Sequence, residues 1–181
     1  DIVVVGAPGE DSEDAPLGTN NGAFYIFRQN LGNWGQVGTA RRDALRSDND
    51  NLGASVAVDL NGATAGFVLA GARQPAPHPT QQGFALLHGR TAADVFAQIG
   101  AKMVASDATV GDQFGNSVSV DSNTAVMGAF RDNPLGTESG AAYVFELTTS
   151  SHSFSQKLLA SDGVAMDQFG GAVDIDGDSL A

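Results

Sequence analysis

Polar and apolar residues alternate along Asp112–Asp121 (DQFGNSVSVD), and the alternation returns along Asp167–Asp176 (DQFGGAVDID). A more divergent copy runs from Asn51 to Asp59 (NLGASVAVD). In each copy a glycine, Gly53, Gly115 or Gly170, opens a run of small and β-branched residues, and an Asp closes it. A period of two rich in Val predicts a strand with one buried face, with turns formed by the Gly before it and the Asp after it. Recurrence at intervals of tens of residues means a repeat architecture.

Three further patterns follow in fixed order. An apolar run closes on Gly-Ala, at Val3–Ala7, Phe67–Ala72 and Thr124–Ala129. Short apolar runs bounded by turns predict strands buried on both faces. Next comes a Gly followed by an aromatic-rich run, at Gly22–Phe27, Gly83–His88 and Gly140–Phe145. Last is an aromatic residue two before a Gln: Trp34/Gln36, Phe96/Gln98 and Phe154/Gln156. A Ser-Asp pair then precedes the next cycle, at Ser47-Asp48, Ser106-Asp107 and Ser161-Asp162. Helical periodicity of useful length is lacking, since even Thr91–Phe96 aligns with the strand edges at Trp34 and Phe154.

The pattern predicts strands near 2–7, 22–27, 34–40, 53–59, 65–71, 83–88, 95–99, 114–120, 124–129, 140–146, 154–159 and 169–175. Four strands per repeat is the signature of an all-β fold, a β-propeller of four-stranded antiparallel blades. The 181 residues divide into a partial blade at 1–50, blades at 51–111 and 112–166, and the first strand of a further blade at 167–181. That makes about three blade equivalents, where propellers close with four to eight. The segment is therefore expected to belong to a six- or seven-bladed propeller in a longer chain. Alternatively, two copies complete a six-bladed ring, with the strand at 169–175 of one pairing near strand 2–7 of the other. Phe114, Phe169 and Leu52 are expected between blades, and Trp34, Phe96 and Phe154 in blade-to-blade core.

Composition narrows the chemistry. Hydrophobic residues make up 42% and charged residues 17%, enough for a packed core. The net charge of -12 argues against nucleic acid or an anionic membrane as partner. No run is long enough to be inserted across a bilayer. With no cysteine, disulfides, zinc thiolates and cysteine nucleophiles are excluded. All six prolines fall in the segments Pro8–Asn21, Arg73–Gln82 and Phe130–Ser139, which vary while the strands around them repeat. Loops of this kind carry recognition.

Phe114-Gly115 followed by Gly128-Ala129, and Gly6-Ala7-Pro8 in the first copy, resemble the FG-GAP repeat of integrin-α-like β-propellers. The second copy departs from it, with Leu52-Gly53 for Phe-Gly and His88 where Phe27 and Phe145 stand in the others. The resemblance implies an extracellular or cell-surface location, and a calcium ion held by an Asp-rich loop after the Phe-Gly strand. The matching loops begin at Asp59, Asp121 and Asp174. Calcium needs six to eight oxygens. Asp174, Asp176 and Asp178 are the best candidate metal ligands, followed by Asp59 and Asn61, where Ala63 stands in a ligand position. The competing reading of each loop is an Asp-Gly β-turn capping a hairpin.

Other chemistry is sparse. The acidic run Glu10–Asp14 reads as a solvated loop, and Arg41-Arg42 as a surface pair. His78, His88 and His152 occupy unrelated repeat positions, with His88 expected to be half-buried and hydrogen-bonded. No nucleophile elbow, phosphate loop or dinucleotide fingerprint occurs, so no catalytic residue is assigned. These features point to a non-catalytic binding or adhesion module recognising protein or glycan through variable loops. Rival readings are a self-assembling block of an extracellular structure and an accessory propeller of a larger hydrolase.

Overall fold

The computed structural model describes residues 1–11, 19–45, 47–60, 66–75, 80–90 and 95–177. Among them the chain forms eleven strands in three sheets and no helix. The first sheet holds β1 (Ile2–Ala7), β2 (Ala23–Asn30) and β3 (Asn33–Gln36). The second holds β4 (Leu52–Asp59), β5 (Phe67–Ala72), β6 (Phe84–Arg90) and β7 (Phe96–Gln98). The third holds β8 (Ser117–Asp121), β9 (Thr124–Ala129), β10 (Ala141–Leu147) and β11 (His152–Leu158). Spatial order follows chain order, and every neighbouring pair is antiparallel. Within each sheet every strand pairs with the one before it in the chain, the order of an antiparallel meander.

The sheets stack face to face. Phe24 and Ile26 of the first sheet pack with Val68, Ala70 and Leu86 of the second. The opposite face of the second, with Leu69, Ala85 and Leu87, packs on Val118, Val120, Met127 and Tyr143 of the third. The middle strand β5 is consequently buried at every position, as its unbroken apolar run predicts. The stack does not close on itself. The first sheet keeps an outer face with Val3 40% and Val5 45% exposed.

The Phe-Gly turn is the joint between sheets. Leu52 and Phe114 are fully buried, and each forms a parallel bridge to the glycine that opens the third strand of the preceding repeat, Gly22 and Gly83. Phe169 makes the same bridge to Gly140. Gly115 adopts φ 80°, a conformation that suits a residue without Cβ. Its carbonyl comes so close to Gly71 that a Cβ there would lie 2.0 Å from it. Gly128 stands in the same relation to the Gly170 carbonyl, at 1.8 Å. The recurring Gly of Gly-Ala is thus a contact point between backbones, which no other residue can occupy.

Four expectations need correction. Residues 171–177 make no ladder, so the strand expected at 169–175 is reduced to the Phe169 bridge. A strand requires a partner, and the described residues supply none beside it. Phe169 accordingly remains 36% exposed instead of buried. Trp34 (48%) and Phe154 (44%) are also exposed, and only Phe96 (3%) is core. They lie on the last strands of their sheets, at the margins, and Phe154 meets Phe145 edge-on at 5.8 Å beside a register shift. The strand expected at 34–40 stops at Gln36, because Gly38 turns the chain at φ 70°. Gly100, at φ 66°, ends β7 in the same way, whereas β11 has no glycine and runs through to Leu158.

Candidate functional site

The antiparallel order puts the three variable segments at one end of the stack, beside the Phe-Gly turns. The turns between first and second strands lie at the other end. Each variable segment is held from below by the next turn. Leu52, Phe114 and Phe169 donate their amides to the carbonyls of Asn21, Gln82 and Ser139. The residue before each, Asn51, Gln113 or Gln168, has φ between 54° and 55° and bonds to Asn20, Gln81 or Glu138. Beneath each turn an Asp accepts from an amide three residues upstream: Asp50 from Ser47, Asp112 from Thr109 and Asp167 from Val164. These local bonds satisfy backbone groups that a β ladder would otherwise take.

Above this common base the loops differ. In the second, Gln74 reaches down to Asp50 (2.7 Å), and its Oε1 accepts from the Gly83 amide (3.1 Å) and the Thr80 hydroxyl (3.2 Å). In the third, Asn133 Oδ1 accepts from the Glu138 amide at 2.7 Å, and Asn133, Pro134 and Leu135 stand exposed at the tip. In the first, Asp11 caps the Asn20 amide at 2.5 Å. Ser12, Glu13 and Asp14 lie outside the described residues, as does His78.

A polar network that the strand pattern gives no reason to expect supports two of these loops. The Tyr143 hydroxyl lies 2.8 Å from Asp107 Oδ1 and 2.7 Å from Asp132 Oδ2. Its single proton can serve one carboxylate at a time. Lys157 bridges both Asp107 and Asp132 at 2.6 Å, which compensates their charge. Burial alone would raise the Asp107 pKa, but hydrogen bonds from Lys157 and Tyr143 outweigh it and hold the group below its usual range. Burial pushes the Tyr143 phenol far up, reinforced by its two carboxylate partners. Burial would lower Lys157, yet its bonds to Asp107 and Asp132 raise it. Asp112, buried nearby, is raised by burial and then by the charge of Asp132.

The first loop repeats this arrangement with other residues. Tyr25 donates to Glu10, and Glu10 pairs with Arg42. So the acidic run is in part a packed ion pair, and Arg42 is one of its partners. A sequence signal for this existed: Glu10 and Asp132 both stand four residues after the Gly of Gly-Ala, and Tyr25 and Tyr143 three after the Gly that opens the aromatic run. The second repeat has Pro75 and Leu86 there, so no such network can form.

The candidate calcium residues lie at the opposite end, and the structure distributes them between repeats. Asp59 Oδ2 accepts from the Ser122 amide at 2.6 Å. Asp174 Oδ1 accepts from the Ser119 hydroxyl and the Ile175 amide, both at 3.0 Å. Asp176 is exposed, and Asp178 and Asn61 lie outside the described residues. Among the described residues no three His, Asp or Glu side chains converge as a metal group. The described part of the loop after Gly170 thus offers two carboxylates where calcium takes six to eight oxygens.

His88 departs from the half-buried, hydrogen-bonded state expected of it. It is 4% exposed, lies edge-on to Phe24 at 5.0 Å, and its Nδ1 has no hydrogen-bond partner among the described residues. Burial, with the Arg41 charge adding, lowers its pKa to about 4. It is therefore neutral at pH 7 and serves as an apolar ring. His152 bonds through Nε2 to the Ala101 carbonyl at 3.0 Å. No helix among the described residues is long and apolar enough to cross a membrane.

Comparison with known families agrees with the repeated geometry. The FG-GAP repeat profile matches residues 100–145 and 153–181. No curated protein matches the chain.

Proposed function

We propose that this chain, which carries FG-GAP repeats at residues 100–145 and 153–181, is a non-catalytic binding module of a secreted or cell-surface protein that recognises a protein or glycan partner through its loop end. Repeats of this family occur in extracellular proteins of the integrin-α type. In this reading the three sheets are consecutive propeller blades, divided at 1–50, 51–111 and 112–166, with 167–181 opening another.

The observation that carries the proposal is the contrast at the loop end. The same turn, with the same bridge and nearly the same φ angles, recurs under three loops of dissimilar sequence, the first of 14 residues and the other two of 10. A scaffold that holds dissimilar loops from below is suited to recognition. The tip Asn133-Pro134-Leu135 presents an apolar side chain beside polar groups, the mix that anchors protein interfaces. Any calcium ion taken at Asp174 and Asp176 would, within this reading, lie remote from the loop end and play no part in recognition.

Screening the labelled chain against a glycan array and a panel of purified extracellular-matrix proteins tests this. Binding should be lost in the double variant Asn133→Ala, Leu135→Ala and retained in Asp176→Asn at the opposite end. Loss of binding with Asp176→Asn alone, or no binding to either panel, would overturn it.

A further inference from the structure

One residue at the loop end is held in a conformation that its chemistry disfavours. Met166 has φ 72°, in the left-handed region, where a Cβ is crowded against the backbone. It stands three residues before Phe169. The residues three before Leu52 and Phe114 are Asn49 and Gly111, at φ 61° and 104°, both of types that take this conformation readily. The Met166 amide donates to the Thr137 carbonyl at 2.8 Å, as the Asn49 amide does to Thr19 at 2.9 Å, so the turn itself is conventional and only the side chain is out of place. That side chain is 62% exposed, and no burial within the chain offsets the strain. A strained backbone without internal compensation points to a contact made with something else.

Met166 is one of three exposed apolar side chains gathered there, with Leu135 and Val164. Leu135 lies on Gly163, where a Cβ would come 2.8 Å from Leu135 Cδ1, and a Cβ on Gly136 would come 3.2 Å from the Ala165 methyl. The third variable segment is thereby packed on residues 163–166, and its apolar tip is continuous with Val164 and Met166. The second repeat shows that a following sheet leaves this surface open. Thr109 and Val110 hold the positions of Val164 and Ala165, and both are exposed with the third sheet in place. A Cβ on Gly111, at the position of Met166, would meet nothing within 4 Å.

Resting on the reading of the loop end as a recognition surface, we propose that Leu135, Val164 and Met166 anchor a protein segment that carries an apolar side chain between lysines or arginines. The charges around the third loop select that partner. Asp107, Asp112, Asp132 and Glu138 are four carboxylates against two cations, Arg131 and Lys157. Both cations are already held, Lys157 by Asp107 and Asp132 at 2.6 Å and Arg131 by Glu138 at 3.5 Å. An acidic rim of this kind steers and orients a cationic segment and repels an anionic one. At its centre the unbranched, polarizable Met166 side chain can adapt to the apolar group it meets.

Fluorescence anisotropy with three labelled peptides of one length tests this: a Leu-Phe centre flanked by lysines, the same centre flanked by glutamates, and a Ser-Ser centre flanked by lysines. The first should bind at least about tenfold more tightly than either of the others, and its binding should weaken as salt is raised. Met166→Gly installs the residue of the second repeat and relieves the strain, so it should melt no lower than the parent and yet lose about tenfold in affinity for that peptide. Met103 and Met127 are fully buried, so mild peroxide should oxidise Met166 first, with the same loss of binding. Equal affinity for the three peptides, no binding of any, or a Met166→Gly variant that binds like the parent or melts below it would overturn the proposal. A glycan or matrix protein still captured through Asn133 and Leu135 in that event would leave the loop-end reading standing and remove the apolar anchor alone.

Discussion

Asp121 Oδ2 accepts a hydrogen bond from the Gly177 amide at 2.6 Å, across 56 residues of chain. Asp59 makes the same bond, at the same 2.6 Å, to Ser122. Asp59, Asp121 and Asp176 each stand six residues after the glycine of their repeat, and the accepted amide is the next residue in the following copy. Residues that resemble ion ligands when read along the chain are clasps between consecutive repeats.

Removing a clasp should cost what a charge-assisted hydrogen bond contributes at a partly exposed site. Asp59→Ala is expected to lower unfolding stability by about 1–2 kcal/mol in a urea titration. Asp176→Ala, whose carboxylate is exposed, should change it by less than about 0.5 kcal/mol. Equal effects would show that the clasp contributes nothing of its own.

Phe114 and Phe169 share a repeat position and differ in cover. Phe114 is fully buried, edge-on to Tyr143 at 5.4 Å and to Phe145 at 6.2 Å. Phe114→Ala should cost about 3–5 kcal/mol, the range for emptying a large aromatic site. Phe169→Ala should cost clearly less, because the ring is 36% exposed. Denaturant titrations of the two variants compare them directly, and a Phe114→Ala loss below about 1 kcal/mol would contradict its placement.

His88 makes stability depend on pH. Its pKa is about 4 in the folded chain against 6.5 unfolded, so above pH 6.5 neither state is protonated and the residue is silent. Between 6.5 and 4 the unfolded chain binds a proton that the folded chain refuses, and stability falls as pH falls. The full loss is about 2–4 kcal/mol, levelling off below the folded pKa. His88→Phe, which installs the residue found at Phe27 and Phe145, should remove this part of the acid limb. Melting curves of both proteins at pH 7 and pH 4.5 measure it, and parallel losses would exclude His88 as the cause.

Calcium can be tested on stability alone. With two carboxylates in the described part of the loop, excess chelator should leave the melting temperature within about 1 °C of its starting value, because an ion too weakly held adds little by mass action. A fall of several degrees, abolished in Asp174→Asn, would assign the ion to this turn.

Strand positions were legible because they rest on local chemistry. Alternation around Val118 and Val120, the apolar run of β5 and the turn glycines are properties of neighbours in sequence, and they placed the eleven strands of the described residues within a few positions. Burial of Leu52 and Phe114 was legible for a related reason: a large apolar residue in a repeated turn must be covered by the next repeat. The sequence also confined the variable segments to a single end, since antiparallel order leaves no other place for them.

What the tertiary structure decided concerns partners distant in sequence. Whether 169–175 forms a ladder depends on a neighbouring strand, and Trp34 and Phe154 are exposed because sheet margins lack a covering layer. The carboxylates of Asp59 and Asp121 could have faced an ion or an amide, and only the stacking of sheets brought the Ser122 and Gly177 amides within 2.6 Å of them. Likewise Tyr143, Asp107, Asp132 and Lys157 come from four separate segments, and packing alone makes them one network. Periodicity in a sequence reports which face of an element is buried; which atoms it meets there is set by the elements packed against it.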